Sequence, residues 1–365
     1  MFERILIANR GEVAARVART CRRIGIETVA LATRVELGAP HVEACDEVIE
    51  LGDDPGAYED VARVLEAAKS AGAHAVHPGY GLARDEVALA RALAEAGIGY
   101  VGPSADRIET LCDRLAVRAK AAELGIRVLP ASEEPLRDPN AALADVDRIG
   151  YPVVVKPVRG FGEPAGLPVA NDVAELNEAF EALGALEAIG GAYLERWVER
   201  ARHVEVQLAC AGDEAVVLGD REVSLRKGHR RVLAEAPACA LDQLHHTEAV
   251  RGAIWDASAE LAVALGVRGI ATCHFLLDAD GTFYFAALTP GLTVEHAATE
   301  MCSGLDLVEI AIGIAAGEAM PPEVHKSEPT GCAFLARVDA ALDPRTNKPF
   351  ESRVDAARWP PAPQG

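Results

Sequence analysis

Three short apolar runs end in glycine-bearing turns. Residues 4–8 lead into Asn9-Arg10-Gly11-Glu12, residues 73–76 into His77-Pro78-Gly79-Tyr80-Gly81, and residues 97–101 into Gly102-Pro103-Ser104. Turns of this kind at the carboxyl ends of parallel strands are where open α/β sheets bind ligands. Tight turns without a ligand produce the same letters, and a single G-x-G spacing does not choose between the two. A fourth run, residues 151–155, leads to Lys156 and a loop carrying Gly160, Gly162 and Gly166. A basic loop with Arg226, His229, Arg230 and Arg231 follows, and then Val294-Glu295-His296.

The elements that must hold these residues can be read from periodicity. Apolar runs alternate with amphipathic stretches over the first hundred residues, the pattern of parallel βαβ units. Strands are expected over 4–8 and 27–31, with a helix over 13–24 that stops at Gly25. A long helix is expected over 105–125. Pro130 and the acidic stretch 133–138 mark the passage to a small α/β unit with strands at 151–155 and 192–197 and a helix at 173–186. Strands at 203–209, 215–219, 272–277 and 282–287 predict a mainly antiparallel sheet, with Asp280-Gly281 as a hairpin turn. The final RWPPAPQG is expected to be disordered.

Composition limits the functional classes. The chain has 365 residues, half of them apolar, enough for two or three domains with sizeable cores. Thirty-six basic residues against 56 acidic ones leave a formal charge of -20, which repels nucleic acid and anionic lipid. No apolar run approaches the roughly 18 residues of a membrane helix, and the amino terminus lacks a signal-peptide pattern, so a cytoplasmic address is expected. The eight cysteines form no C-x-x-C pair and read as reduced core thiols.

Taken together and in order, ILIANRGEVAARV, AVHPGYG, YVGPSADRI, GYPVVVKP, RHVEVQL, SLRKGHRRVLAEAPA, VEHAATE and ARVDAALDP resemble the biotin carboxylase family of ATP-grasp enzymes. The resemblance implies an α/β fold in three parts: a Rossmann-like parallel sheet, a small α/β lid, and a C-terminal mainly antiparallel sheet with helices. The divisions expected are 1–112, a linker helix at 113–130, the lid at 131–200 and the C-terminal part at 201–365. Family members use MgATP to activate bicarbonate as carboxyphosphate and transfer its CO2 to N1 of biotin. By the same resemblance Lys156 and Arg114 face nucleotide phosphates, Glu195, Trp197 and Val198 form the adenine hinge, and His203 and His229 contact nucleotide. Glu295 matches the general base for bicarbonate and Arg337 the arginine that stabilises the biotin enolate.

Other matching positions are altered. The two carboxylates that hold magnesium in the family fall on His274 and Ala287, and a neighbouring asparagine on Thr289, so no metal ligand set is expected. In the bicarbonate pocket the family's arginine is Gly291, its glutamine Thr293 and its lysine Arg231. Loss of a planar arginine fork removes charge-assisted hydrogen bonds of about 1.5–3 kcal/mol each. The phosphate loop carries Pro157, Phe161, Glu163 and Pro164 where glycine N–H donors are needed.

These losses fall on metal, bicarbonate and triphosphate contacts while fold-specifying segments stay readable. The expectation is a pseudoenzyme, a regulatory or structural subunit of a biotin-dependent acyl-CoA carboxylase system. One alternative is an active ATP- and bicarbonate-dependent ligase with a metal site rebuilt around His274, Glu300 or Asp278. Another is a nucleotide-binding sensor. ATP is an expected ligand more readily than Mg. Met1, Met301 and Met320 precede no lysine, so biotin is not expected to be attached to this chain, and the stop soon after residue 344 suggests a shortened C-terminal part. Expected partners are carboxylase, carboxyltransferase or biotin carrier subunits, or a second copy meeting the face of Arg16 and Arg19.

Overall fold

The computed structural model describes residues 1–81, 86–161, 167–227 and 230–337, the side chains of Lys227 and Arg230 excepted. Its first sheet follows from strands too apolar to show a wet face. β1 (Arg4–Ile7) sends Leu6 to one side, against Val29, Leu31 and Leu93, and Ile5 and Ile7 to the other, against Val13 and Val17. A strand buried on both faces belongs at the centre of a parallel sheet. It pairs with β2 (Glu27–Ala32) and β4 (Ala75–His77), and β3 (Glu47–Glu50) and β5 (Gly99–Tyr100) complete the order β3-β2-β1-β4-β5.

The carboxyl ends of β1 and β4 meet at a tight crossing. Asn9 Nδ2 donates to the carbonyls of Pro78 (2.7 Å) and Tyr80 (3.1 Å). A Cβ on Gly79 would lie 2.5 Å from that nitrogen, and φ is +65°, so glycine is required twice over. The helix Gly11–Arg23 starts inside the segment expected as a turn.

The lid is a three-stranded antiparallel sheet, β6 (Val153–Pro157) flanked by β7 (Val169–Ala170) and β8 (Ala192–Arg196), backed by the helix Val173–Leu183. The larger sheet has the order β15-β14-β9-β10-β13-β16. Its strands are β9 (Arg202–Ala211), β10 (Ala215–Glu222), β13 (Leu233–Ala236), β14 (Arg268–Leu277), β15 (Phe283–Pro290) and β16 (Ala333–Ala336), all antiparallel neighbours. A small ribbon, β11 (Arg226–Lys227) with β12 (Arg230–Arg231), stands beside it. Apolar residues of the helix Thr247–Ala264 pack with one face, and those of the helix Leu307–Ala315 with the other. Asp306 caps this second helix through Val308 and Glu309 N–H and also binds Arg16, Arg23 and Thr20 of the first helix.

Several expectations need correction. Residues 105–125 form two helices, Ala105–Leu111 and Arg114–Glu123, because Asp113 accepts from Ala116 N–H and caps the second. Lys156 lies within β6 rather than after it. The helix Thr247–Ala264 escaped notice because many of its apolar positions are small alanines. The described structure has all eight thiols free, but Cys332 is exposed and Cys45 and Cys239 are half-buried. Arg16 spends its charge within the chain, on Glu300 (2.7 Å) and Asp306 (3.0 Å). No helix among the described residues is long and apolar enough to cross a membrane. The expected tail at 358–365 and most of the ARVDAALDP segment lie outside the described residues.

Candidate active site

Strand alternation places His203, Glu205 and Gln207 of β9 on one face, beside Thr272 and His274 of β14 and Arg221 of β10. All are buried. Arg221 is the hub. Its Nε donates to Glu205 (2.7 Å), one terminal nitrogen to Gln207 (2.7 Å) and Thr299 (3.0 Å), the other to Thr272 and Thr293 (3.2 Å each). A guanidinium has five N–H donors, and this environment supplies five acceptors. Such matching is what permits a charge to sit at 0% exposure.

Glu205 is the counter-ion. Burial alone would raise its pKa, but Arg221, Arg231 and His274 outweigh burial and hold it well below the usual carboxylate range. Its Oε1 lies 2.8 Å from Arg231 and 3.2 Å from His274 Nδ1, contacts of charge without hydrogen-bond alignment. Arg231 also reaches Glu295 at 3.2 Å. Thus the candidate base is buried, just before the helix His296–Ser303, and paired with a cation.

A cleft of about 570 Å³ opens above this floor, within the size range of small-molecule sites. It is lined by Arg231, Thr289, Gly291, Thr293, Glu295 and Arg337 on the large-sheet side, and by His77, Tyr80, Glu86 and Tyr100 from the parallel sheet. Burial raises the Glu86 pKa to about 7 against the lowering effect of the Tyr100 hydroxyl. The structure therefore brings Glu295, Arg337 and Arg231 to one cavity.

The positions expected to lack a metal site face each other: His274 pairs with Ala287 across β14 and β15. His203, Glu205 and His274 do bring ligand-type atoms within 4.8 Å of one another, a grouping the sequence reading missed. Those atoms are nonetheless already engaged. Arg226 can only donate, so His203 Nδ1, its partner, accepts. His203 Nε2 is 3.3 Å from His274 Nδ1, which is also 3.2 Å from Glu205 Oε1, and His274 Nε2 pairs with Thr289 Oγ1 at 2.8 Å. Burial lowers the His274 pKa against the pull of Glu205, which suits the neutral form. A donor set with one carboxylate, already held by two arginines, does not fit magnesium, which requires oxygen ligands in octahedral geometry.

On the lid side, Lys156 is an ion-pair partner of Glu195, and Glu195 also receives Arg118 at 3.0 Å. Lys156 is 4% exposed, so it is no ordinary surface lysine. Arg114 donates to the carbonyls of Pro157 (2.8 Å), Arg159 (3.0 Å) and Phe161 (3.2 Å), holding the chain that follows Lys156. Trp197 is exposed and Val198 half-buried at the hinge. His229, Glu163 and Pro164 lie outside the described residues. The sequence reading did not single out Arg221, Glu205 or Glu86. For Glu205 the available signal was the alternation in His-Val-Glu-Val-Gln-Leu, where polar residues share one face of a strand that is otherwise core.

Family models match nearly the whole described chain: "Biotin carboxylase, N-terminal domain" over residues 1–108 and "Carbamoyl-phosphate synthase L chain, ATP binding domain" over 113–323. The chain is 37% identical to a biotin carboxylase of Halalkalibacterium halodurans, over 97% of this chain and 78% of the relative. It is 35% identical to a propionyl-CoA carboxylase alpha chain of Ruegeria pomeroyi, over 99% of this chain and 53% of the relative. Among solved structures, the biotin carboxylase domain dimer of Hydrogenobacter thermophilus 2-oxoglutarate carboxylase, with MgADP, ADP and bicarbonate, superposes with a TM-score of 0.87 at 31% identity, covering 95% of this chain and 76% of that one. The beta-gamma-ATP complex of biotin carboxylase from Campylobacter jejuni gives 0.87 at 29% identity, with 96% and 78% covered. With the ATP-grasp architecture and the cleft already described, these matches mean that the chain belongs to the biotin carboxylase family.

Proposed function

We propose that this chain is a biotin-carboxylase-like subunit that has given up magnesium-dependent carboxylation and serves a biotin-dependent carboxylase system in a regulatory or structural role. One observation carries the reading. Where the family positions two carboxylates, this chain sets His274 opposite Ala287, and both ring nitrogens of His274 are engaged. The alternative metal anchors are no better placed: Glu300 is tied to Arg16 and to Leu307 N–H, and Asp278 is folded into the hairpin that closes on Thr282. The division at residues 1–112, 113–130, 131–200 and 201–365 and the cytoplasmic address belong to the same reading. So does the nucleotide face of Lys156, Glu195, Trp197, Val198, His203, His229 and Arg114.

Partners are suggested by relatives named as parts of carboxylases, such as a propionyl-CoA carboxylase alpha chain and the biotin carboxylase subunit of pyruvate carboxylase. A second reading, an active ligase, is favoured by the convergence of Glu295, Arg231 and Arg337 on one cleft. Phosphate release with ATP, bicarbonate and free biotin, scanned over magnesium, manganese and zinc, separates the two. The expected result is no bicarbonate-dependent release with any metal. Turnover that disappears in Glu295→Ala would overturn the proposal in favour of the second reading.

A further inference from the structure

A second cavity, of about 190 Å³, lies between β10, the helix Thr247–Ala264 and the helix His296–Ser303. It shares no lining residue with the cleft. A bulge makes room for it: the register of β10 against β9 shifts between Val217 and Gly219, and Gly219 takes a φ of +128°. A Cβ there would come within 3.4 Å of Pro329. Pro329 is exposed and forms part of the lining, which leaves the cavity open to solvent on that side.

The polar groups of its wall are already paired. Asp220 accepts from Ala238 N–H (2.7 Å), Arg251 Nε (2.9 Å) and Trp255 Nε1 (2.9 Å). Arg251 also donates to Asp242 at 2.9 Å, and Thr299 Oγ1 accepts from Arg221 at 3.0 Å. Cys302 Sγ points its hydrogen at the carbonyl of Ala236, 3.5 Å away. The remaining surface is that of Leu218, Ala236, Pro237 and the half-buried Trp255 ring. Such a space offers an incoming molecule no unmade hydrogen bond and no uncompensated charge, and a water in it would lack the two to four polar partners it needs. Protein interiors keep few voids larger than a water molecule, and roughly 150 Å³ lined by apolar side chains is enough to hold benzene.

We propose that this cavity is a ligand site for a small neutral aromatic molecule, of the size of benzene or indole, seated against the Trp255 ring. The inference is independent of whether the chain turns over ATP. Thr299 links the cavity to the floor of the cleft, since the same residue lines the one and accepts from Arg221 in the other.

The test is thermal denaturation of the full chain with indole, with benzene and with benzoate, followed by titration calorimetry with each compound that shifts the midpoint. Indole or benzene is expected to raise the melting temperature in a saturable way. Benzoate has the ring but brings a carboxylate that no free donor meets, and should leave the midpoint unchanged. Cys302→Met fills the space with a longer side chain and is expected to abolish the response to the neutral rings; Ala236→Val serves should the first not fold. No shift with indole or benzene would overturn the proposal. A benzoate shift as large as that with indole would overturn the neutral class of ligand. A wild-type response in a folded, filled variant would put the bound ring elsewhere and overturn the site.

Discussion

Arg221 and Ala287 stand on the same sheet, both buried, yet they illustrate opposite relations between burial and charge. Around Arg221 every donor has a matched acceptor, and two strands, a turn and a helix contribute one or more of them. Around Ala287 there is a methyl group, and beside it an imidazole hydrogen-bonded to a threonine. The first arrangement cannot lose a member without leaving a buried charge uncompensated. The second is held by two hydrogen bonds and carries no arginine.

The largest effect that would break the contrast is at the hub. Arg221→Leu is expected to cost about 3–5 kcal/mol in urea denaturation, since Glu205 loses its fully buried counter-ion and keeps only Arg231, and four further acceptors lose their donor. A loss below 1 kcal/mol would show that water enters the hub freely. At the opposite wall, His274→Glu with Ala287→Glu places two carboxylates beside Glu205 and should destabilise the metal-free chain by about 3 kcal/mol through buried like charge. Magnesium or manganese should then raise the melting temperature of the double variant and leave that of the wild type unchanged. A wild-type shift of equal size would mean that the metal site was never lost.

A third effect concerns the rim. Glu86 has its pKa raised from 4.5 to about 7 by burial. A carboxyl that holds its proton more tightly when folded contributes stability fully present below its unfolded pKa, lost as pH rises through the folded one. Stability is thus expected to fall by about 2 kcal/mol between about pH 5 and pH 8, discounted for the partial exposure of the side chain. Glu86→Gln should flatten that portion of the profile, and an unchanged slope would assign it to other groups. The smallest effect is that of Thr289→Val, about 1 kcal/mol for the stranded ring nitrogen of His274, read from chemical melts.

The sequence made the scaffold legible because its signals are local. β1, β4 and the turn at Gly79 follow from apolar runs and from a backbone that only glycine can take. The comparison of aligned motifs likewise picked out His274 and Ala287. What it could not convey was that these two face each other in register, that Arg226 donates to His203, or that five acceptors from two strands, a helix and a turn converge on Arg221. Those facts depend on strand register and on residues far apart in the chain. The break at Asp113 was missed for the converse reason: one capping hydrogen bond outweighed twenty residues of helical pattern.

The clasp between Asp306 and the first helix has a consequence for the order of events during synthesis. Val13 and Val17 share a core with Leu307, Val308 and Ile312, which leave the ribosome about 290 residues later. At roughly 5–20 residues per second that interval is about 15–60 s, during which the outer apolar stripe of the first helix lacks its final cover. That stripe therefore stays without its cover until Asp306 arrives and closes on Thr20, Arg16 and Arg23.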